Sequence, residues 1–454
     1  MAPGSAAARP ALFSLSLSML LSSLATSSAN IALPTLAQAF GASFEQVQWV
    51  VLSYLLAITT LIVSVGRLGD LTGRRRLLLA GIALFTLASV LCGVAPTLPL
   101  LIAARAAQGL GAAVMMALTM AFVGELAPQS RTGSAMGLLG TMSAVGTALG
   151  PSLGGMLIAA AGWRAIFLVN VPMGLLTLLS ALYYLPADRP AASVRPRFDH
   201  VGTLLLALTL GAYALAMTLG RFGPFNVALL IAAAVGAALF VRAERIAASP
   251  LIRLGLLRDR VLSGSLAMSA LVSTVMMATL VVGPFYLASA FGLGAAAVGV
   301  VMSLGPIAAA LAGVPAGRIV DQFGAGRATT AGLAAIAAGC VALSMMPVAF
   351  GLPGYIAAIV VVTVGYALFQ TANNSAVMAG IRPDQRGVIA GMLTLSRNLG
   401  LITGASVMGA VFAATGMRTT FGIAAVLIGV ALGVAVRTRA AGQQRRNGSP
   451  ATDA

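Results

Sequence analysis

Two short stretches hold much of the chemistry available to this chain. GRLGDLTGRRR, Gly66 to Arg76, and GRIVDQFGAGR, Gly317 to Arg327, start 251 residues apart and share the pattern G-R-x-x-D-x-x-G-x-x-R. Charged residues make up only 8% of the sequence, so five matched positions read as two copies of one device. An aspartate and arginines at these offsets can form and break ion pairs, and the glycines between them permit a tight turn. A third candidate is Arg105, followed by Gln108 and Gly109 inside an apolar run. A charge within a membrane span costs about 2.5–3.5 kcal/mol on insertion scales, so such an arginine needs a function or a partner. Snorkelling of its side chain to the outer headgroups is the other reading. Nothing supports covalent or redox chemistry. The one histidine, His200, falls in a loop, and Cys92 and Cys340 each sit alone in an apolar run as packing residues. With no Ser/His/Asp set, no Cys/His cluster and no GxxxxGK[ST] loop, an enzyme or an ATP-driven pump has nothing to work with, and no metal or cofactor is expected.

The elements that position these residues follow from composition. Hydrophobic residues are 59% of the chain and the mean hydropathy is +1.00, against about 25% charged residues in an ordinary globular protein. A bilayer core about 30 Å thick takes roughly 20 apolar residues per helix. Fourteen such runs can be cut from the sequence, near 11–32, 47–68, 77–95, 99–122, 134–158, 163–185, 201–220, 224–241, 263–288, 296–317, 328–348, 353–375, 387–412 and 419–437. Lipid leaves the backbone no other way to satisfy its hydrogen bonds, and alternating strand patterns are missing, so the runs are predicted to be helices.

The net charge of +17 would suggest nucleic acid in a soluble protein, but its placement argues otherwise. All 27 basic residues are arginine; with the N-terminus inside, 22 fall in cytoplasmic segments, three (Arg164, Arg221, Arg418) outside, and two (Arg105, Arg397) within spans. That is the positive-inside bias, and one missed span would destroy it. No nucleic-acid partner is expected. Arg9, the apolar run after it and ATSSA at 25–29 could also serve as a signal peptide; Asn30 and ALP at 32–34 continue the segment and favour a retained first span.

The repetition extends beyond the opening pair. GLLGTMSAVGTALGPSLGG from Gly137 and GMLTLSRNLGLITG from Gly391 each place glycine at the first, tenth and fourteenth positions, at an offset of 254 residues. Two six-span halves therefore share a plan, with spans seven and eight inserted between them. The expected division is an N-terminal bundle at 1–185, a linker with two added helices at 186–260, a C-terminal bundle at 261–437 and a disordered cytoplasmic tail at 438–454. Parallel repeats about an axis along the membrane normal are a plan of transporters that alternate access to a site between the halves.

In this order, ANIALP at 29–34, the Gly66 motif, RAAQGLGAA at 105–113, the glycine frame of span five, WRAIFLVNVPMG at 163–174 and PAGRIVDQFG at 315–324 resemble the major facilitator superfamily, specifically its fourteen-span drug/proton antiporter branch. The resemblance implies an all-α integral membrane protein with two six-helix bundles related by pseudo-two-fold symmetry and two extra central helices. It implies a latch holding the cytoplasmic side shut, carried here by Gly66, Asp70, Gly73 and Arg74 with Glu125 as acidic partner, and echoed by Gly317, Asp321 and Arg327. Solvated loop charges are the plainer reading of the same residues. It implies an exporter's signature helix in Gly137, Gly146, Gly150, Pro151, Gly154 and Gly155; small-residue packing alone would explain the glycines but not the proline. It implies a transport cavity with Arg105 and Gln108. Asn30, Gln370, Asn373, Asn374 and Arg397 are further candidates for its lining.

Two departures bear on energetics. Where the family pattern has an aspartate ahead of the span-one motif this chain has Ala25, and Ala288 stands where a glutamine usually ends the span-nine motif. None of the ten acidic residues falls near a span centre, so a neutral or anionic amphipathic substrate fits better than a cation, and proton coupling rests on the resemblance alone. The expected activity is export of small amphipathic compounds, drugs or metabolites, by a monomer in the plasma (inner) membrane with both termini cytoplasmic. An importer of a sugar or other metabolite, and a membrane sensor on the same fold, are the alternatives.

Overall fold

A computed structural model describes residues 5–126, 132–188, 199–219, 223–247, 255, 258–345, 350–378 and 386–447. Its regular structure is helical, with no strand among the described residues. The helices are α1 (Ser5–Phe40), α2 (Phe44–Thr72), α3 (Arg74–Val94), α4 (Leu98–Leu126), α5 (Thr132–Ala161), α6 (Ala165–Leu168), α7 (Asn170–Tyr184), α8 (His200–Thr218), α9 (Pro224–Ile246), α10 (Arg260–Phe291), α11 (Ala295–Phe323), α12 (Ala325–Met345), α13 (Gly351–Met378), α14 (Arg386–Thr403) and α15 (Gly409–Asn447). A π-helical turn, Gly404–Met408, joins the last two. Among the described residues, twelve helical stretches are long and apolar enough to cross a membrane. The last of them, Met392–Thr438, is interrupted at Gly416, whose φ of 79° and ψ of −174° are not helical, so it holds two of the expected runs. The fifth run falls in α5, and α6 with α7 forms the sixth.

The chain folds as two compact units, Met1–Leu251 with Gly283–Ser303, and Ile252–Val282 with Leu304–Ala454. In the first, α1 packs along α5 and α7, and α4 lies between α2 and α3. Its apolar centre includes Leu15, Leu21, Tyr54, Phe85, Met115 and Leu118. The α3–α4 contact is set by glycine: a Cβ on Gly111 would come within 2.7 Å of both Gly81 O and Phe85 N. Backbones approach closely where no side chain intervenes, which is how helices associate without a hydrophobic drive between them. In the second unit α12 and α13 repeat the device, with a Cβ on Gly332 2.6 Å from Phe369 N and one on Gly365 2.8 Å from Gly332 O. Gly81 and Gly332 are 251 residues apart and Gly111 and Gly365 are 254 apart, the offsets of the two sequence echoes. The inserted α8 and α9 pack on each other within the first unit, and Thr203 of α8 shares a 2.8 Å hydroxyl contact with Ser64 of α2.

Candidate functional site

Arg105 sits about two turns into α4, fully buried. Its Nε donates to the Val50 carbonyl on α2 at 2.9 Å. Its Nη1 donates to the Ala25 carbonyl on α1 at 3.4 Å and to Gln108 Oε1 at 2.5 Å. Gln108 in turn donates through Nε2 to Ser89 Oγ on α3 at 2.7 Å, and Ser89 donates to the Phe85 carbonyl at 2.7 Å. The guanidinium carbon lies 4.1 Å from the centroid of the Tyr54 ring and 5.8 Å from that of Phe167. Five helices thus converge on one charge, whose Nε and Nη1 are taken up by neutral acceptors and whose guanidinium lies near two aromatic rings. The snorkelling reading fails, because a side chain on its way to the headgroups would not be enclosed on every side.

Arg105 Nη2, Asn30 Oδ1, both polar atoms of Gln48, Ser53 Oγ and Asn170 Oδ1 are among the buried atoms of this unit that have no hydrogen-bond partner among the described residues. Most buried polar groups in folded proteins are paired, so each of these atoms calls for a partner such as water or a ligand. Asn30 and Gln108, expected in a cavity, are both buried here, and Asn30 donates to the Thr26 carbonyl at 3.2 Å. In the second unit Asn373 is buried and donates to the Ser265 carbonyl at 3.3 Å, Gln370 and Arg397 are half-buried, and Asn374 is exposed. Tyr54, Ser89, Phe167, Gln48 and Asn170 were missed from sequence. Asn170 lies in the WRAIFLVNVP motif, and Gln48 is a lone polar residue in an apolar run, which is the signal that could have marked them.

The repeated motif forms two one-residue joints. Gly73 (φ 95°) separates α2 from α3 and Gly324 (φ 80°) separates α11 from α12, each in the left-handed region that glycine enters without strain. Both donate back into the preceding helix at 2.9 Å, Gly73 to the Gly69 carbonyl and Gly324 to the Val320 carbonyl. Arg74 packs its stem over Gly69, where a Cβ would lie 3.2 Å from Arg74 Cγ. Gly66 and Asp70 belong to α2 and Glu125 to α4, but their side chains lie outside the described residues, as does Gly137 in α5. In the second copy Gly317 is half-buried, while Asp321 and Arg327 are exposed. A residue absent from the motif completes the first copy. The Asp188 carboxylate, beyond α7, accepts from the backbone N–H of Arg75 at 2.7 Å and of Arg76 at 3.1 Å, and so caps α3.

The glycines of α5 face α1. A Cβ on Gly146 would come 2.6 Å from the Leu20 carbonyl oxygen; one on Gly150 would strike the Ser27 side chain and lie 2.9 Å from Ser28 N. Ser27 donates to the Gly146 carbonyl at 3.2 Å, and Ser23 and Ser143 share a 2.7 Å contact. Gly155 turns elsewhere, toward the start of α11, 3.0 Å from the Gly299 Cα as a Cβ would measure it. Pro151 stays within a continuous α5. In the second half Gly400 and Gly404 pack on Ala270 and Thr274 of α10 in the same manner, and the π turn falls where the first half has its proline.

Residues 15–405 match the Major Facilitator Superfamily. Among curated proteins, the chain is 32% identical over 390 residues to the multidrug resistance protein Stp of Mycobacterium tuberculosis, covering 85% of this chain and 72% of that one. It is 30% identical over 394 residues to the riboflavin transporter RibZ of Clostridioides difficile, covering 87% and 86%. Among solved structures, a bacterial homologue of the human lysosomal transporter Spinster, in an inward-facing and unoccupied conformation, superposes with a TM-score of 0.71 at 14% identity over 96% of this chain and 98% of that one. The duplicated helical plan, its paired glycine joints and these similarities agree: the chain belongs to the major facilitator superfamily.

Proposed function

We propose that this protein is a secondary exporter of small amphipathic compounds, of the fourteen-span drug/proton antiporter kind, working by alternating access in the plasma membrane with both termini in the cytoplasm. The observation that carries the reading is the buried Arg105 centre with unpaired polar atoms on the helices around it, inside a chain of this family. A charge kept at that cost in apolar surroundings serves the solute, since a neutral side chain would have packed there more stably. The glycine-proline helix α5, locked against α1, favours export, as does the similarity to Stp. Proton coupling would fall to carboxylates at the inner ends of the spans, Asp70 or Glu125, because none stands among the Arg105 contacts. Small molecules and protons are the expected partners, and the working unit is a monomer.

Import of a metabolite is the second reading, favoured by the similarity to RibZ. Flux of amphipathic dyes and antibiotics in everted and right-side-out vesicles, with and without an imposed pH gradient, separates the two. Accumulation in energised everted vesicles supports export. Accumulation only in right-side-out vesicles would reverse the direction.

A further inference from the structure

The three neutral acceptors around Arg105 leave its charge without an opposite. The Val50 and Ala25 carbonyls and Gln108 Oε1 take up Nε and Nη1, while buried Nη2 has no hydrogen-bond partner among the described residues. Of the ten acidic residues none lies on α1, α3, α6 or α7, and the one on α4, Glu125, is twenty residues on, about 30 Å along the helix. Glu45 on α2 precedes Val50 by five residues, which turns it about 140° away around the axis. A buried ion without a counter-charge carries a desolvation cost of several kcal/mol, and an anion held at Nη2 would offset it.

The site is built to hold the guanidinium still rather than to let it find a partner. The chain Arg105–Gln108–Ser89–Phe85 carbonyl fixes the amide, the amide fixes Nη1, and the guanidinium carbon lies over the Tyr54 and Phe167 rings. Only Nη2 remains, a directional donor pair suited to a carboxylate, sulfonate or phenolate oxygen. Ala25 bears on the charge balance: its carbonyl, which any residue would offer, touches Arg105, and its methyl side chain supplies no counter-charge.

We propose that Nη2 of Arg105 receives an acidic group of the transported compound, so that the preferred substrates are amphipathic anions that supply the negative charge the protein lacks. This rests on the export reading above and narrows it to a substrate class.

The test uses three xanthene dyes of similar size, anionic fluorescein, a neutral methylated relative and cationic rhodamine, in everted vesicles carrying the full chain. Wild type is expected to accumulate fluorescein at least tenfold faster than rhodamine. Arg105→Gln should lower the fluorescein rate at least tenfold, with Arg105→Lys between the two. Ala25→Asp should reverse the order by installing the missing carboxylate. Fluorescence anisotropy of fluorescein with each purified variant, after gel filtration shows it monodisperse, separates binding from turnover. Equal rates for the three dyes, faster rhodamine in wild type, or full fluorescein binding by Arg105→Gln would each overturn the inference while export stands. If Arg105→Gln does not fold, Ala25→Asp alone decides, and unchanged dye order in that variant counts against the proposal. A neutral dye carried only with chloride present would overturn it in favour of an inorganic counter-ion. If no dye is moved at all, the export reading itself fails.

Discussion

Asp188 shows how much a single carboxylate can do outside any motif. It accepts from two of the backbone N–H groups that a helix start leaves unpaired, and it sits against Gly73, where a Cβ would lie 2.7 Å from the Asp188 Cγ. The Arg75 guanidinium reaches back to the Leu182 carbonyl at 2.6 Å, so the joint between α2 and α3 is tied twice to the end of α7. Replacing a capping side chain with alanine costs about 0.5–2 kcal/mol, whereas asparagine caps nearly as well as aspartate. Asp188→Ala should therefore lower the melting temperature of the purified protein and its flux, and Asp188→Asn should do little to the former. Gly73→Ala should be worse than either, because a left-handed φ costs an L-residue about 1–2 kcal/mol before the collision with Asp188 is counted. Equal melting temperatures for Asp188→Ala and wild type would remove the cap. Sequence reading reached Arg105 and Gln108, which lie three apart on one helix face. It did not reach the Ala25 carbonyl, Ser89 or Asp188, because a backbone acceptor on another helix and a carboxylate more than a hundred residues away leave no local pattern.

At the scale of elements, the glycine frame of α5 was legible as a face without side chains, but not which helix fills it. That helix is α1, whose Ser23 and Ser27 reach across and whose Ser14, Ser18 and Ser22 turn their hydroxyls onto the preceding turn. The frame is not uniform. At Gly150 a methyl group would meet the backbone nitrogen of Ser28 at 2.9 Å, and at Gly154 it would find ordinary contacts of 3.4–3.5 Å. Overpacking of the first kind costs about 1–3 kcal/mol, while an alanine that fits gains about 0.5–1 kcal/mol of helix propensity. Gly150→Ala is expected to lower both stability and flux, and Gly154→Ala to leave the melting temperature level or higher. The reverse order would show that the α1–α5 contact is described wrongly. The π turn at Gly404–Met408 was not foreseen, since Ala405 in place of a proline gives no sign of a bulge in sequence.

For the whole molecule, duplication was the most legible feature. Two motif copies gave the offset, and the structure shows it again in the Gly81/Gly111 and Gly332/Gly365 crossings, which no charged motif announced. Helices read from hydropathy were found because lipid permits little else. Their boundaries blurred where α1 runs past the apolar stretch to Phe40 and where Gly416 divides a helix that hydropathy reads as two. The proposed orientation rests on arginine placement. Cysteines substituted for the exposed Arg76 and Arg327, in a chain lacking Cys92 and Cys340, should both react with an impermeant reagent from the cytoplasmic face alone. Labelling from opposite faces would break the parallel repeat. The central claim is that one buried polar centre is reached in turn from either side of the membrane. It is tested most directly by Asn30→Cys in the same cysteine-free background, with impermeant thiol reagent added to one face at a time under opposed pH gradients. Reactivity should move from one face to the other as the gradient is reversed; reactivity confined to a single face under both gradients would contradict it.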